Sequence, residues 1–251
     1  MVRTHEIELY ASAAVVFGAG KPLLTALSGT RREQRSPVQI MSAIWGRKPW
    51  VTAVVLVTML VMIALQYTVP GLSDHLTRQP GALQDGQGWR VITALFIQSS
   101  GLVQIVVNVP ALAVAGPIAE RVFGRVRWLL IYFGSGVVAN IASEEGWSPH
   151  GGGNSVAICG LVGALAATCL LRADRIGPAP VHAPQRIRLL ALAVPAAGVF
   201  LCAIRNNHGA GLLTGCALGL VIAAAWPGSL RLDAAPAVAE RNLTPEVLAT
   251  R

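Results

Sequence analysis

The chain has 251 residues, 53% of them apolar and 13% charged, where a soluble domain carries about 25% charged residues. Together with a mean hydropathy of +0.57, this excludes a disordered chain, a disulfide-stapled secreted domain and most soluble enzymes, and points to a polytopic membrane protein. Twenty basic residues against twelve acidic ones give a formal charge of +8, which in so apolar a chain reports membrane topology before it reports nucleic acid.

Residues 1–49 form a basic segment holding Arg3, Lys21, Arg31, Arg32, Arg35, Arg47 and Lys48. The mildly apolar stretch Ala11–Leu27 is interrupted by Lys21 and Pro22 and is too short to span a bilayer, which needs about 20 apolar residues. Small residues at Ala11–Ala14 offer a signal-peptide site, but Glu6 and Glu8 spoil the basic region that should precede it. Met41 is an alternative start.

Six apolar spans follow and define a membrane domain over residues 50–228. They are Val51–Val69; Val91–Ala119, an interfacial approach that becomes a helix from about Gly101; Trp128–Ser143; Asn154–Leu171; Leu189–Ile204; and Asn207–Trp226. The third and fifth are short for a hydrocarbon core about 30 Å thick. With the N-terminus inside, 17 of the 20 basic residues fall on inside segments, and only Arg78, Arg90 and Arg205 fall outside. That asymmetry sets both termini in the cytoplasm and accounts for the net charge without nucleic acid. The tail 229–251 reads as a cytoplasmic end too poor in apolar residues to pack. Cys159, Cys169, Cys202 and Cys216 lie inside apolar runs, without the spacing of a zinc or disulfide framework, and read as small core residues.

Polar residues in apolar surroundings need a reason. Gly151-Gly152-Gly153-Asn154-Ser155 opens the fourth span and places Ser155 at the positive end of a helix dipole, which favours an alkoxide; Asn and Ser are also ordinary helix caps. The glycines leave the approach to the serine open. His208 opens the sixth span, followed by Gly211, Gly215 and Gly219, a stripe on which another helix can pack closely. The fourth and sixth spans run in the same direction, so Ser155 and His208 share one depth, as a nucleophile and its general base would. Gln104 and Asn108, four apart on the second span, share a face and can donate to a developing oxyanion or join helices by hydrogen bonds.

Over roughly Trp50–Trp226 this pattern resembles the rhomboid family of intramembrane serine proteases. Gly153-Asn154-Ser155 is similar to the family's Gly-x-Ser motif. His208, Gly211 and Gly215 match its His-x-x-Gly-x-x-x-Gly pattern, Trp89-Arg90 its Trp-Arg pair and Glu120-Arg121 its Glu-Arg pair. The resemblance implies an all-α bundle of six transmembrane helices in a lipid bilayer; the compact six-span form and short loops point to a bacterial plasma membrane. The resemblance also implies Ser155 as nucleophile, His208 as base, and an oxyanion held by the Ser155 N–H, Asn108 and Gln104, with Gly153 in support. The substrate would be a transmembrane protein segment cut near the outer face, with no cofactor and no metal. Three positions depart from the family. Gln104 stands where histidine is usual and predicts reduced oxyanion support. Val156 replaces glycine and predicts a crowded nucleophile. Cys159 replaces an aromatic and predicts a less well held His208 ring. Gln104 and Val156 argue for an alternative, a catalytically weak or inactive relative that binds transmembrane helices; the retained Ser155 and His208 argue against it. A transporter or channel would carry carboxylates within its spans; none lies within the six as drawn, Glu120 falling at a boundary.

Overall fold

The computed structural model describes residues 22–24, 26–27, 37–176 and 184–232. Among the described residues, six helices are long and apolar enough to cross a membrane. They are α1 (Trp50–Thr68), α2 (Leu102–Phe123), α3 (Arg125–Ala142), α4 (Ser155–Arg172), α5 (Pro184–Ala203) and α6 (Asn207–Ala225). This is a multi-pass, all-α membrane bundle. The helices α3 and α5 escape the expected shortness because they begin earlier than the apolar runs do, at Arg125 and Pro184. Their first two turns carry Arg125, Arg127, Arg186 and Arg188, whose long stems can lie along apolar surface while the charge stays in water. The approach to α2 is a short helix, Arg90–Thr93, and a tight turn, Ala94–Phe96. Past Ala119, α2 continues for a further turn, until Gly124 at φ 77° stops it.

Burial separates the helices. No large hydrophobic residue of α4 before Leu171 is exposed, whereas α1 presents Val54, Val57, Leu60, Val61 and Leu65 outward. The helix α4 is thus the axis of the bundle, with α2, α3, α5 and α6 all against it, and the outward side chains of the other helices form the apolar surface a bilayer would cover.

Glu120 belongs to α2 rather than to a boundary. Its side chain is only 6% exposed. Its carboxylate accepts from the backbone N–H groups of Val51 (3.1 Å) and Thr52 (2.8 Å) and from the Thr52 hydroxyl (2.8 Å). An acid from one helix therefore caps the N-terminus of another, where unpaired N–H groups and the dipole both favour negative charge. Replacing Glu120 by alanine strands those donors, and should cost about 2–3 kcal/mol. Glu120→Gln, which keeps an acceptor oxygen, should lose less. Thermal unfolding in detergent checks this, and equal losses for the two variants would contradict it.

A second repair concerns Pro117, which lacks an N–H and so leaves the Ala113 carbonyl, four residues earlier in α2, without its helical donor. The Trp45 indole N–H fills the gap at 3.0 Å. Trp45 ends a short helix, Pro37–Trp45, so part of the N-terminal segment is tied to the bundle. Leu23 and Leu27 are buried as well, and the Arg121 guanidinium donates to the Leu27 carbonyl. Residues 1–21, 25 and 28–36, Ala11–Ala14 included, lie outside the described residues. Beyond α6, Leu230 and Leu232 are buried and the Arg231 N–H donates to the Val122 carbonyl at 3.1 Å. The chain thus folds back onto α2 past the boundary at 229, and the rest of the 229–251 tail lies outside the described residues.

Candidate active site

The site begins with how closely α4 and α6 approach. A Cβ on Gly211 would overlap the Val156 carbonyl, and one on Gly215 the Gly160 carbonyl. One on Gly219 would lie 2.6 Å from the Ala164 Cα. Both series step by four residues, so the two helices run parallel in fixed register. Gly163 on α4 likewise meets the Leu212 carbonyl. Just N-terminal to these contacts, where both helices begin, His208 comes beside Ser155. The His208 Nε2 lies 2.9 Å from the Ser155 Oγ, and both residues are half-buried.

The imidazole is held by Asn206, a residue that no helical spacing marks. The helix α5 ends with the Arg205 N–H donating to the Cys202 carbonyl (3.0 Å) and the Asn206 N–H to the Leu201 carbonyl (2.8 Å). This is the Schellman pattern, whose left-handed position glycine usually fills. Here it is Arg205, at φ 56°. Asn206 then caps α6: its Oδ1 accepts from the His208 N–H at 3.0 Å and lies 2.8 Å from the His208 Nδ1. Arg205→Gly removes a strained conformation and should stabilise the protein by about 1 kcal/mol, read as a raised midpoint of thermal unfolding. A lowered midpoint would show that the arginine side chain outweighs its backbone strain.

The stretch before Ser155 is enclosed rather than open. A Cβ on Gly152 would sit 2.7 Å from the Ala94 carbonyl oxygen, and one on Gly153 would overlap the Gln104 side-chain nitrogen. The glycines admit neighbouring chain, not substrate. Gln104 accepts from the Ser100 N–H (2.9 Å) and donates from Nε2 to the Gly152 carbonyl (3.0 Å). Asn108 donates to the Gln98 Oε1 (2.8 Å), Gln98 donates to the Asn154 Oδ1 (3.2 Å), and Asn154 donates to the Met59 sulfur (3.0 Å). Gln98 is further clasped by Gln66, which accepts its N–H at 2.9 Å and donates to its carbonyl at 3.3 Å. Asn154 occupies the cap position of α4, yet its side chain makes no cap hydrogen bond; it turns into the core. The amides of Gln104 and Asn108 therefore converge on the stretch just before Ser155, Gln104 directly on Gly152 and Asn108 on Asn154 through Gln98. Nothing in the spacing of Gln98, Gln66 or Asn206 marks them, because each acts through a loop or a chain end rather than a helical period.

Val156 is buried in the core beneath this stretch, and the Ser155–His208 contact forms with it in place. Cys159 is half-buried, and all four cysteines are free. The α3 end is joined to α6 by the Asn207 side chain, which donates to the Ser143 hydroxyl at 2.8 Å.

Charge enters from the loop between α1 and α2. Arg90, of the Trp-Arg pair, gathers that loop by donating to the carbonyls of Asp74 (2.8 Å) and Thr77 (2.7 Å) and to the Gln87 side chain (2.6 Å). Arg78 pairs with Gly151 through the backbone, and its guanidinium, buried at 4% exposure, donates to Asn140 and to the Ser148 carbonyl. Burial pulls the Arg78 pKa down to about 10, with the Glu144 carboxylate opposing that shift. At neutral pH it remains a cation. A cleft of about 380 Å³ opens beside this loop, lined by Gln66, Tyr67, Asp74, Gln98, His150 and Gly151 among others. Ser155 and His208 are not part of its wall. Among the described residues, no cluster of three His, Cys, Asp or Glu side chains could hold a metal ion.

Comparison with known proteins bears on the same region. Residues 85–225 match the family model of the Rhomboid domain. A Bacillus subtilis protein named "Putative rhomboid protease YdcA" is 33% identical over 123 residues, covering 48% of this chain and 60% of that protein. Rhomboid protease GluP of the same organism is 35% identical over 89 residues, covering 35% of this chain and 17% of its own length. The chain thus spans less than two thirds of either relative. The matched segment begins in the loop gathered by Arg90, ends at the last residue of α6 and includes both Ser155 and His208, and with more than half of its length matched the chain belongs to the rhomboid family.

Proposed function

We propose that the protein is an intramembrane serine endopeptidase that cuts transmembrane segments near the outer face of a bacterial plasma membrane, with both of its termini in the cytoplasm. The observation that carries this reading is the 2.9 Å approach of His208 Nε2 to Ser155 Oγ. In the reaction, Ser155 Oγ attacks the scissile carbonyl carbon while its proton passes to His208 Nε2. The imidazolium then protonates the leaving amine, and a water molecule, deprotonated in turn by His208, releases the acyl group. The Ser155 N–H, first of α4 and so without a helical acceptor, is one donor to the oxyanion. Asn108 and Gln104 supply the others, each with the one amide N–H that Gln98 and Gly152 respectively leave over.

The test is cleavage of a single labelled transmembrane segment reconstituted with the protein in lipid vesicles, the cut located by mass spectrometry. Products cut within or beside the membrane-embedded stretch are expected. Intact substrate, with protein folded by circular dichroism and unlabelled by a fluorophosphonate, would instead favour a helix-binding protein without peptidase activity. That second reading draws on the engagement of Gln104 with Ser100 and Gly152.

A further inference from the structure

We infer that Asn206 is the positioning residue of the site, a neutral third member that sets the tautomer and orientation of His208. The inference rests on the catalytic reading above. Its basis is one oxygen with two partners. Asn206 Oδ1 lies 3.0 Å from the His208 backbone nitrogen and 2.8 Å from the ring Nδ1. A backbone N–H can only donate, so the atom it meets must be the amide oxygen and not the amide nitrogen. That oxygen can only accept, so Nδ1 carries the ring proton. Nε2 then holds a lone pair, and it is Nε2 that lies 2.9 Å from Ser155 Oγ. The backbone thus fixes the amide, the amide fixes the ring, and the ring is left as a base toward the serine.

The anchor of Asn206 is itself rigid. Only residues 204–206 separate α5 from α6, and the Asn206 N–H is tied to the Leu201 carbonyl of α5. Asn206 is therefore bound on one side to the end of α5 and on the other to the first turn of α6. Side-chain rotation of His208 would cost the ring its Nδ1 partner while the cap to the backbone N–H remained.

Capping and orienting can be separated by substitution. Serine and glycine both serve as helix N-caps at little or modest cost, and neither reaches the imidazole as asparagine does. Aspartate keeps an oxygen for both contacts. The probe is a fluorescent fluorophosphonate, in whose reaction the Ser155 Oγ–P bond forms, fluoride leaves and the serine proton passes to His208 Nε2. Asn206→Ser and Asn206→Gly should lower the maximal labelling rate about 10- to 100-fold, with the half-saturating probe concentration and the unfolding midpoint near those of the unaltered protein. Asn206→Asp should restore the rate to within about threefold. Labelling by both the Ser and Gly variants at the original rate, or failure of Asp to restore it, overturns the inference. Ser155→Ala and His208→Ala are run alongside. If either of these still labels, the catalytic reading itself fails; if both are silent while Asn206→Ser and Asn206→Gly label normally, only the role of Asn206 fails.

Discussion

Ser155→Ala is expected to lower cleavage of a membrane-embedded substrate by about 10⁴-fold or more, and His208→Ala to do nearly the same. The two losses should not add. Serine and histidine act as one unit in a single proton transfer, so the double variant should retain the same residual rate as either single one. Stability gives the contrast. The Ser155 hydroxyl is half-buried, and its one hydrogen bond to His208 is worth about 1 kcal/mol to folding. Ser155→Ala should therefore unfold near the temperature of the unaltered protein. A double variant far slower than both single ones would mean that the residues contribute independently, and the shared proton at 2.9 Å would lose its meaning.

The second large effect comes from a position with no chemistry. Gly215→Val should destabilise the protein by about 3 kcal/mol and abolish cleavage together with it. The atom in the way is the Gly160 carbonyl oxygen, part of the α4 backbone, and no side chain can rotate aside to admit even a Cβ. The helices α4 and α6 must separate, and they separate along the register that sets His208 beside Ser155. Gly134→Ala is the matched control. Its added Cβ would meet only Leu218 Cδ1, at 3.6 Å, an ordinary contact distance that should leave both folding and activity intact. Loss of stability without loss of activity in Gly215→Val would show that the dyad does not depend on this packing.

The two predictions also show which parts of the molecule are legible in the sequence. Apolar runs and the placement of arginines were sufficient for six spans, because a bilayer imposes length and charge rules on each span separately. Their ends were less legible. Arg125 and Arg186 stop an apolar run without stopping a helix, and Glu120 disappears from hydropathy yet sits within α2 as the cap of α1. The glycines after His208 announced a close approach, and α4 is the helix that makes it. The glycines before Ser155 announced an open one, where the chain is packed against Ala94 and Gln104. A glycine reports that space is needed, not what fills it. Asn206 was invisible for a different reason: its contact with His208 spans two residues across a helix start, where no periodicity operates.

The amides around Ser155 have a dielectric consequence. Gln66, Gln98, Gln104, Asn108, Asn154 and Asn206 carry no formal charge, and Gln98, Asn108 and Asn154 are each at most 3% exposed. Burying ions at such depth would incur a large Born penalty, whereas neutral dipoles that satisfy one another incur little. The field at the reacting serine is then set by dipoles locked in mutual hydrogen bonds, with Arg78 as the nearby formal charge, brought in by a loop rather than a span. The dipole part of that field does not titrate, and it needs no reorganisation as charge develops on the substrate carbonyl.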